Sequence, residues 1–167
     1  MKRLVALAFG VIFGLAASGA SAMAAPDRLE PFLGEYQGQS GQAPGSLYVP
    51  LWSKPTPFDL SVERHNDELI FAIGGGASQP LAMRFVPLSD RMYVLRTDKP
   101  SARATGFAWV DGDRLTIECK LARPGEPSRG VKFVVSWEDD HRRLAVYTRE
   151  GDKEALVVDT ALKGAED

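Results

Sequence analysis

The chain has 167 residues, with 20 Lys and Arg set against 22 Asp and Glu, and one cysteine. The slightly acidic balance excludes a nucleic-acid binder that works through a basic patch, and a lone thiol excludes any intramolecular disulfide. The length suits one domain with a real core.

The chain opens with "MKRLVALAFGVIFGLAASGASAMAAP". Lys2 and Arg3 precede an apolar run from Leu4 to Ala17, and small residues follow at Ala20, Ser21 and Ala22. This is the pattern of a secretory signal peptide, and the run is too short for a spanning helix. Cleavage after Ala22 or Ala24 is expected, which assigns residues 1–24 to the signal and 25–167 to a single domain. Loss of Lys2 and Arg3 leaves 18 basic residues (20 − 2) against 22 acidic ones, a mature charge near −4 (18 − 22). No cysteine follows the apolar run to carry a lipid anchor. The mature chain is expected to be periplasmic or secreted, without a transmembrane segment.

Strand signals dominate beyond residue 31. In "PFLGEYQG", Phe32, Gly34, Tyr36 and Gly38 fall on one face. "PFDLSVER" sets Phe58, Leu60 and Val62 opposite Asp59, Ser61 and Glu63. The same alternation gives Leu69, Phe71 and Ile73; Leu81, Met83 and Phe85; Leu115, Ile117, Cys119 and Leu121; and Val131, Phe133, Val135 and Trp137. Period-two alternation describes strands with one face in a core and one in water. "RMYVLR", "ATGFAWV", "RLAVYTR" and "EALVVDTAL" are strands by composition, though their inward faces are less clear. Short polar turns, "HND", "DGD", "EDDH" and "EGD", join antiparallel neighbours, since a parallel crossover needs a dozen residues or more. No segment after residue 30 sustains a helical period, beyond one short turn in "DRLEPFLG". A meander of this kind removes its exposed edges by closing. The predicted fold is all-β, an antiparallel up-and-down β-barrel of eight to ten strands.

Phe32, Gly34 and Tyr36 resemble the G-x-W start of lipocalins and related calycin barrels, with tyrosine in place of tryptophan. With "FDLSVERHNDELIFAIGGG" and "FVPLSDRMYVL", the stretch is more similar still to the lipocalin-like β domain that ends many penicillin-binding-protein-like serine hydrolases. The resemblance spans residues 29 to 120 and implies a fold. It implies no hydrolase, because no Ser-x-x-Lys occurs in the chain. The opening is also similar to nitrobindin-type haem barrels. Their haem-holding histidine has no counterpart in "EALVVDTALKGAED", so no cofactor is expected.

Catalytic and metal chemistry find little support. His65 and His141 fall at hairpin turns, where a third group rarely holds an imidazole rigid. Consecutive residues of "EDDH" diverge around a tight turn, so no metal site is expected. The "GGG" at 74 to 76 lacks the surroundings of a phosphate loop. Cys119 reads as a buried, inert thiol.

The segment "GQAPGSLYVPLWSKPTP", 41 to 57, is long for a hairpin loop and carries Leu47, Tyr48, Val49, Leu51 and Trp52. The calycin resemblance implies a lid over the barrel mouth; packing on the barrel wall is the other reading. The leading expectation is a non-catalytic barrel that binds a small apolar or amphipathic ligand. Tyr36, Trp52, Arg96 and Trp109 are its candidate ligand-binding residues. Arg96 would anchor an anionic group if Met92, Val94 and Arg96 face inward. The opposite parity, which buries Tyr93 and Leu95 and leaves Arg96 in water, carries more weight. The alternative function is an accessory module of the cell envelope, a barrel filled by its own side chains that binds a protein partner.

Overall fold

Ten strands follow one another in the order the alternation predicts: β1 (Gly34–Gln39), β2 (Pro57–His65), β3 (Glu68–Gly74), β4 (Leu81–Pro87), β5 (Met92–Leu95), β6 (Ala104–Asp111), β7 (Arg114–Leu121), β8 (Arg129–Glu138), β9 (His141–Glu150) and β10 (Lys153–Gly164). The computed structural model describes residues 28–40, 56–75, 81–97, 104–121 and 129–164. Each strand pairs antiparallel with its sequence neighbours, and β1 closes on β10 through Tyr36↔Gly164 and Gln37↔Lys163. The result is a closed up-and-down barrel, with no free sheet edge among the described strands.

The meander gives the barrel two unlike ends. At one end, two-residue turns join β2 to β3, β6 to β7 and β8 to β9, and a short bend joins β4 to β5. Asn66 and Asp67 both take left-handed backbone, φ 53° and 58°, as a type I′ hairpin requires. We call this the turn end. The connections 40–56, 75–80, 96–103 and 122–128 all fall at the other, the loop end.

A single 3₁₀ turn, Glu30–Phe32, precedes β1 and plugs the turn end with Leu29 and Phe32, both buried. Gly34 then lets the chain bend into β1 at φ 143°, where a side chain would be strained. Gly38 is packed under the Phe58 ring, so a Cβ there would collide with it. Gly38 thus serves the close approach of β1 to β2.

Inside, the ladders stack the core in rows. Val110, Leu115, Val135 and Leu144 form one row, and Ala108, Ile117, Phe133, Val146 and Val158 the next. Phe71 from the opposite wall meets Phe133 with ring centroids 5.0 Å apart. Phe32, Phe71, Phe85 and Phe133 are fully buried. Trp137 has the predicted inward parity but lies at the turn end, only partly buried against the core. Its indole donates to the Pro31 carbonyl, 3.1 Å away.

Candidate functional site

The interior is packed unevenly along the barrel axis. The row Ala108–Ile117–Phe133–Val146–Val158 is at most 2% exposed. The next row towards the loop end is Gly106, Cys119, Val131, Thr148 and Ala155, aligned by the same ladders. There Cys119, Val131 and Thr148 are half-buried and Ala155 is exposed. The opposite wall repeats the gradient along β4: Phe85 is 0% exposed, Met83 8% and Leu81 39%. The described side chains therefore form a shallow apolar cup, less tightly packed towards the loop end, above a solid floor.

The cup's chemistry is mainly that of small, soft and apolar groups. Cys119 Sγ lies 3.3 Å from Met83 Sδ across the interior. Burial, helped by the Glu118 carboxylate, pushes the Cys119 thiol up to about 11, so it stays neutral and unreactive at ordinary pH. Gly106 lets this wall pack closely: a Cβ there would lie 2.9 Å from Cys119 Sγ and 3.1 Å from Leu95 Cβ. Polar groups stand at the rim. The Thr148 hydroxyl belongs to the cup row, and Arg129 pairs with Glu150 at 3.6 Å one row further out. An apolar wall with a few polar groups at its lip can hold a small amphipathic body.

Of the four residues predicted to line a ligand path, the three that are described are not gathered around this cup. Tyr36 does point inward, as its alternation implies, but at the turn end. Its hydroxyl shares its one proton between the carbonyls of Leu33 (2.8 Å) and Phe32 (3.1 Å). Burial raises its phenol pKa, partly offset by the Arg142 guanidinium. Arg96 is exposed just beyond β5 and bonds Glu68 at 2.7 Å. The parity given more weight is the one found: Tyr93 and Leu95 pack on the core, and Arg96 does not face inward. Trp109 is likewise on the outer wall, because its neighbours Ala108 and Val110 are the buried ones. Trp52 and the lid reading of 41 to 57 lie outside the described residues, apart from Thr56 and Pro57.

Arg142 is the residue that sequence reasoning missed. It shares the inward parity of Leu144 and Val146, and an arginine in phase with an apolar face was the available signal. Its guanidinium lies 4.0 Å from the Trp137 ring and 4.9 Å from the Tyr36 ring. It also donates from Nη2 (3.0 Å) and Nε (3.3 Å) to the Pro31 carbonyl. This is a structural latch at the closed end, far from the cup.

Two other features carry no site chemistry. A depression of about 230 Å³ on the outer wall is bounded by Lys120, Gly130, Arg149 and Asp152. Glu118 Oε1 lies 3.1 Å from Lys120 and 3.8 Å from Arg149, so the local charges largely cancel. His141 Nδ1 reaches only Asp140, at 3.4 Å, and no group of three or more His, Cys, Asp or Glu converges among the described residues.

No family model and no curated protein matches the chain. The barrel is similar to the crystal structure of secretory abundant heat soluble protein 4 from Ramazzottius varieornatus. That likeness has a TM-score of 0.52 and 11% identity, over 80% of this chain and 94% of that one. It is also similar to a mutant of the fluorescent protein UnaG, with a TM-score of 0.50 and 17% identity over 83% of this chain and 99% of that one. At such identities the likeness is one of fold, a closed antiparallel up-and-down β-barrel.

Proposed function

We propose that the protein is an exported, non-catalytic barrel that holds a small apolar or amphipathic molecule in the cup at its loop end. The observation that carries this reading is the packing gradient. Side chains are fully buried in the row of Phe133 and partly open one row above, at Cys119, Val131 and Thr148. The filled floor restricts the guest to the upper interior, with its polar end towards the Arg129–Glu150 rim. Export rests on the first 24 residues, and the non-catalytic role on the lack of any convergent nucleophile, acid and base in the sequence. Phe32, Gly34 and Tyr36 further relate the barrel, on this reading, to the accessory β domain of penicillin-binding-protein-like hydrolases.

The solid floor of Phe71, Phe85 and Phe133 favours a second reading. In that reading the barrel is a scaffold, and its outer surface meets an envelope protein. Native mass spectrometry of protein purified from its own compartment separates the two. A mass adduct lost on denaturation supports the ligand; a bare mass together with a co-purifying protein supports the scaffold.

A further inference from the structure

The outer wall of β4, β5 and β6 carries an apolar face that the ligand-holding reading does not use. Val86, Val94 and Phe107 are ladder partners in one row. Met92 and Trp109 pair in the next, where the Leu88 amide donates to the Met92 carbonyl at 2.8 Å. Leu88 is 62% exposed, Phe107 44% and Met92 38%, three of the five large apolar side chains exposed among the described residues. Clustered exposure of this kind marks an interaction surface more often than chance.

Two unspent charges bound the face at opposite corners. Arg84 precedes Val86 by two residues on the same face, towards the loop end. Asp111 follows Trp109 by two, towards the turn end. Both are exposed, and neither side chain makes a hydrogen bond or ion pair among the described residues. Their neighbours are engaged: Arg96 with Glu68, Glu118 with Lys120 and Arg91 with Asp90. Strand spacing and rise put the two corners on the order of 20 Å apart, along a diagonal of the patch.

We propose that this face is the interface between two copies of the chain. A patch with an apolar centre, one cation at one corner and one anion at the opposite corner is self-complementary. A two-fold axis across the diagonal sets Arg84 of each copy against Asp111 of the other and stacks Phe107, Met92 and Trp109 between them. A partner surface of a single sign, such as an anionic membrane, would meet repulsion at one corner. The face is at the small end for a specific interface, so association is expected at protein concentrations on the order of 100 µM.

Sedimentation velocity over a concentration series tests this, with circular dichroism confirming that each variant keeps its barrel. The wild type should dimerise, and Phe107→Asp should remain monomeric throughout. Arg84→Asp and Asp111→Arg should each weaken association by about tenfold or more, since each sets like charges face to face. The double variant should restore it. A wild type that stays monomeric at every concentration overturns the proposal. So does a dimer that survives Phe107→Asp, or a double variant no better than the singles.

Discussion

Arg142 stacks 4.0 Å over the Trp137 ring, and both side chains donate to one acceptor, the carbonyl oxygen of Pro31. Through that oxygen the start of the chain is tied to the hairpin of β8 and β9, more than 100 residues away in sequence. The two donors hold the 3₁₀ turn in place, and that turn keeps Leu29 and Phe32 in the core.

Arg142→Ala is therefore expected to destabilise the barrel by roughly 1.5–3 kcal/mol, from lost charge-assisted bonds and the lost stack. Arg142→Lys should recover less than half of this, because an ammonium cannot stack flat while donating twice. Urea unfolding of the three proteins measures both.

Phe71 and Phe133 are in tilted contact, with centroids 5.0 Å apart, and both are 0% exposed. Either change to alanine should cost about 3–5 kcal/mol. Trp137→Ala should cost less than Phe133→Ala, since its ring covers an end and does not fill the centre. The double variant of Phe71 and Phe133 should fall short of additivity by roughly 0.5–1.5 kcal/mol in chemical denaturation.

The Cys119 thiol ionises near 11 in the folded state against an ordinary value of 9.0. The unfolded chain gives up this proton first as pH rises. Stability contributed by the neutral buried thiol is therefore intact below about 9 and declines as pH climbs towards about 11. Alkylation by iodoacetamide at pH 8 should be far slower in native protein than in urea. Equal rates would mean that the thiol is not sheltered.

Gly38→Val should destabilise the barrel by about 1–3 kcal/mol or more, because the new side chain enters the space of the Phe58 ring. The paired change Gly38→Val with Phe58→Leu should recover part of the loss in thermal melts, which a purely backbone effect would not permit.

Strands such as β2 were legible because one face is polar. Phe58, Leu60 and Val62 against Asp59, Ser61 and Glu63 leaves a single solution. β5 was not legible: Met92, Tyr93, Val94 and Leu95 are apolar on both faces, so hydrophobicity cannot set the parity that decided Arg96. In "ATGFAWV" the pattern misleads. Phe107 and Trp109 look like the core face, yet the interior is already occupied by Phe71 and Phe133. Only Gly106, Ala108 and Val110 fit inward, and the aromatics turn to the outer wall. The cup itself could not be read from sequence, because it arises where rows from five strands thin out together. Arg142 and Pro31 meet only through the closure of the barrel.

The claim that a guest sits in the cup is tested most directly by titrating a fluorescent fatty-acid analogue into wild type, Val131→Glu and Phe107→Glu. Val131 lines the cup and Phe107 lies outside it on the apolar outer wall. Saturable binding to wild type is expected, with an affinity loss of at least about tenfold in Val131→Glu, where a carboxylate meets the apolar body, and no change in Phe107→Glu. No binding by the wild type, or loss in Phe107→Glu with Val131→Glu unaffected, would contradict it.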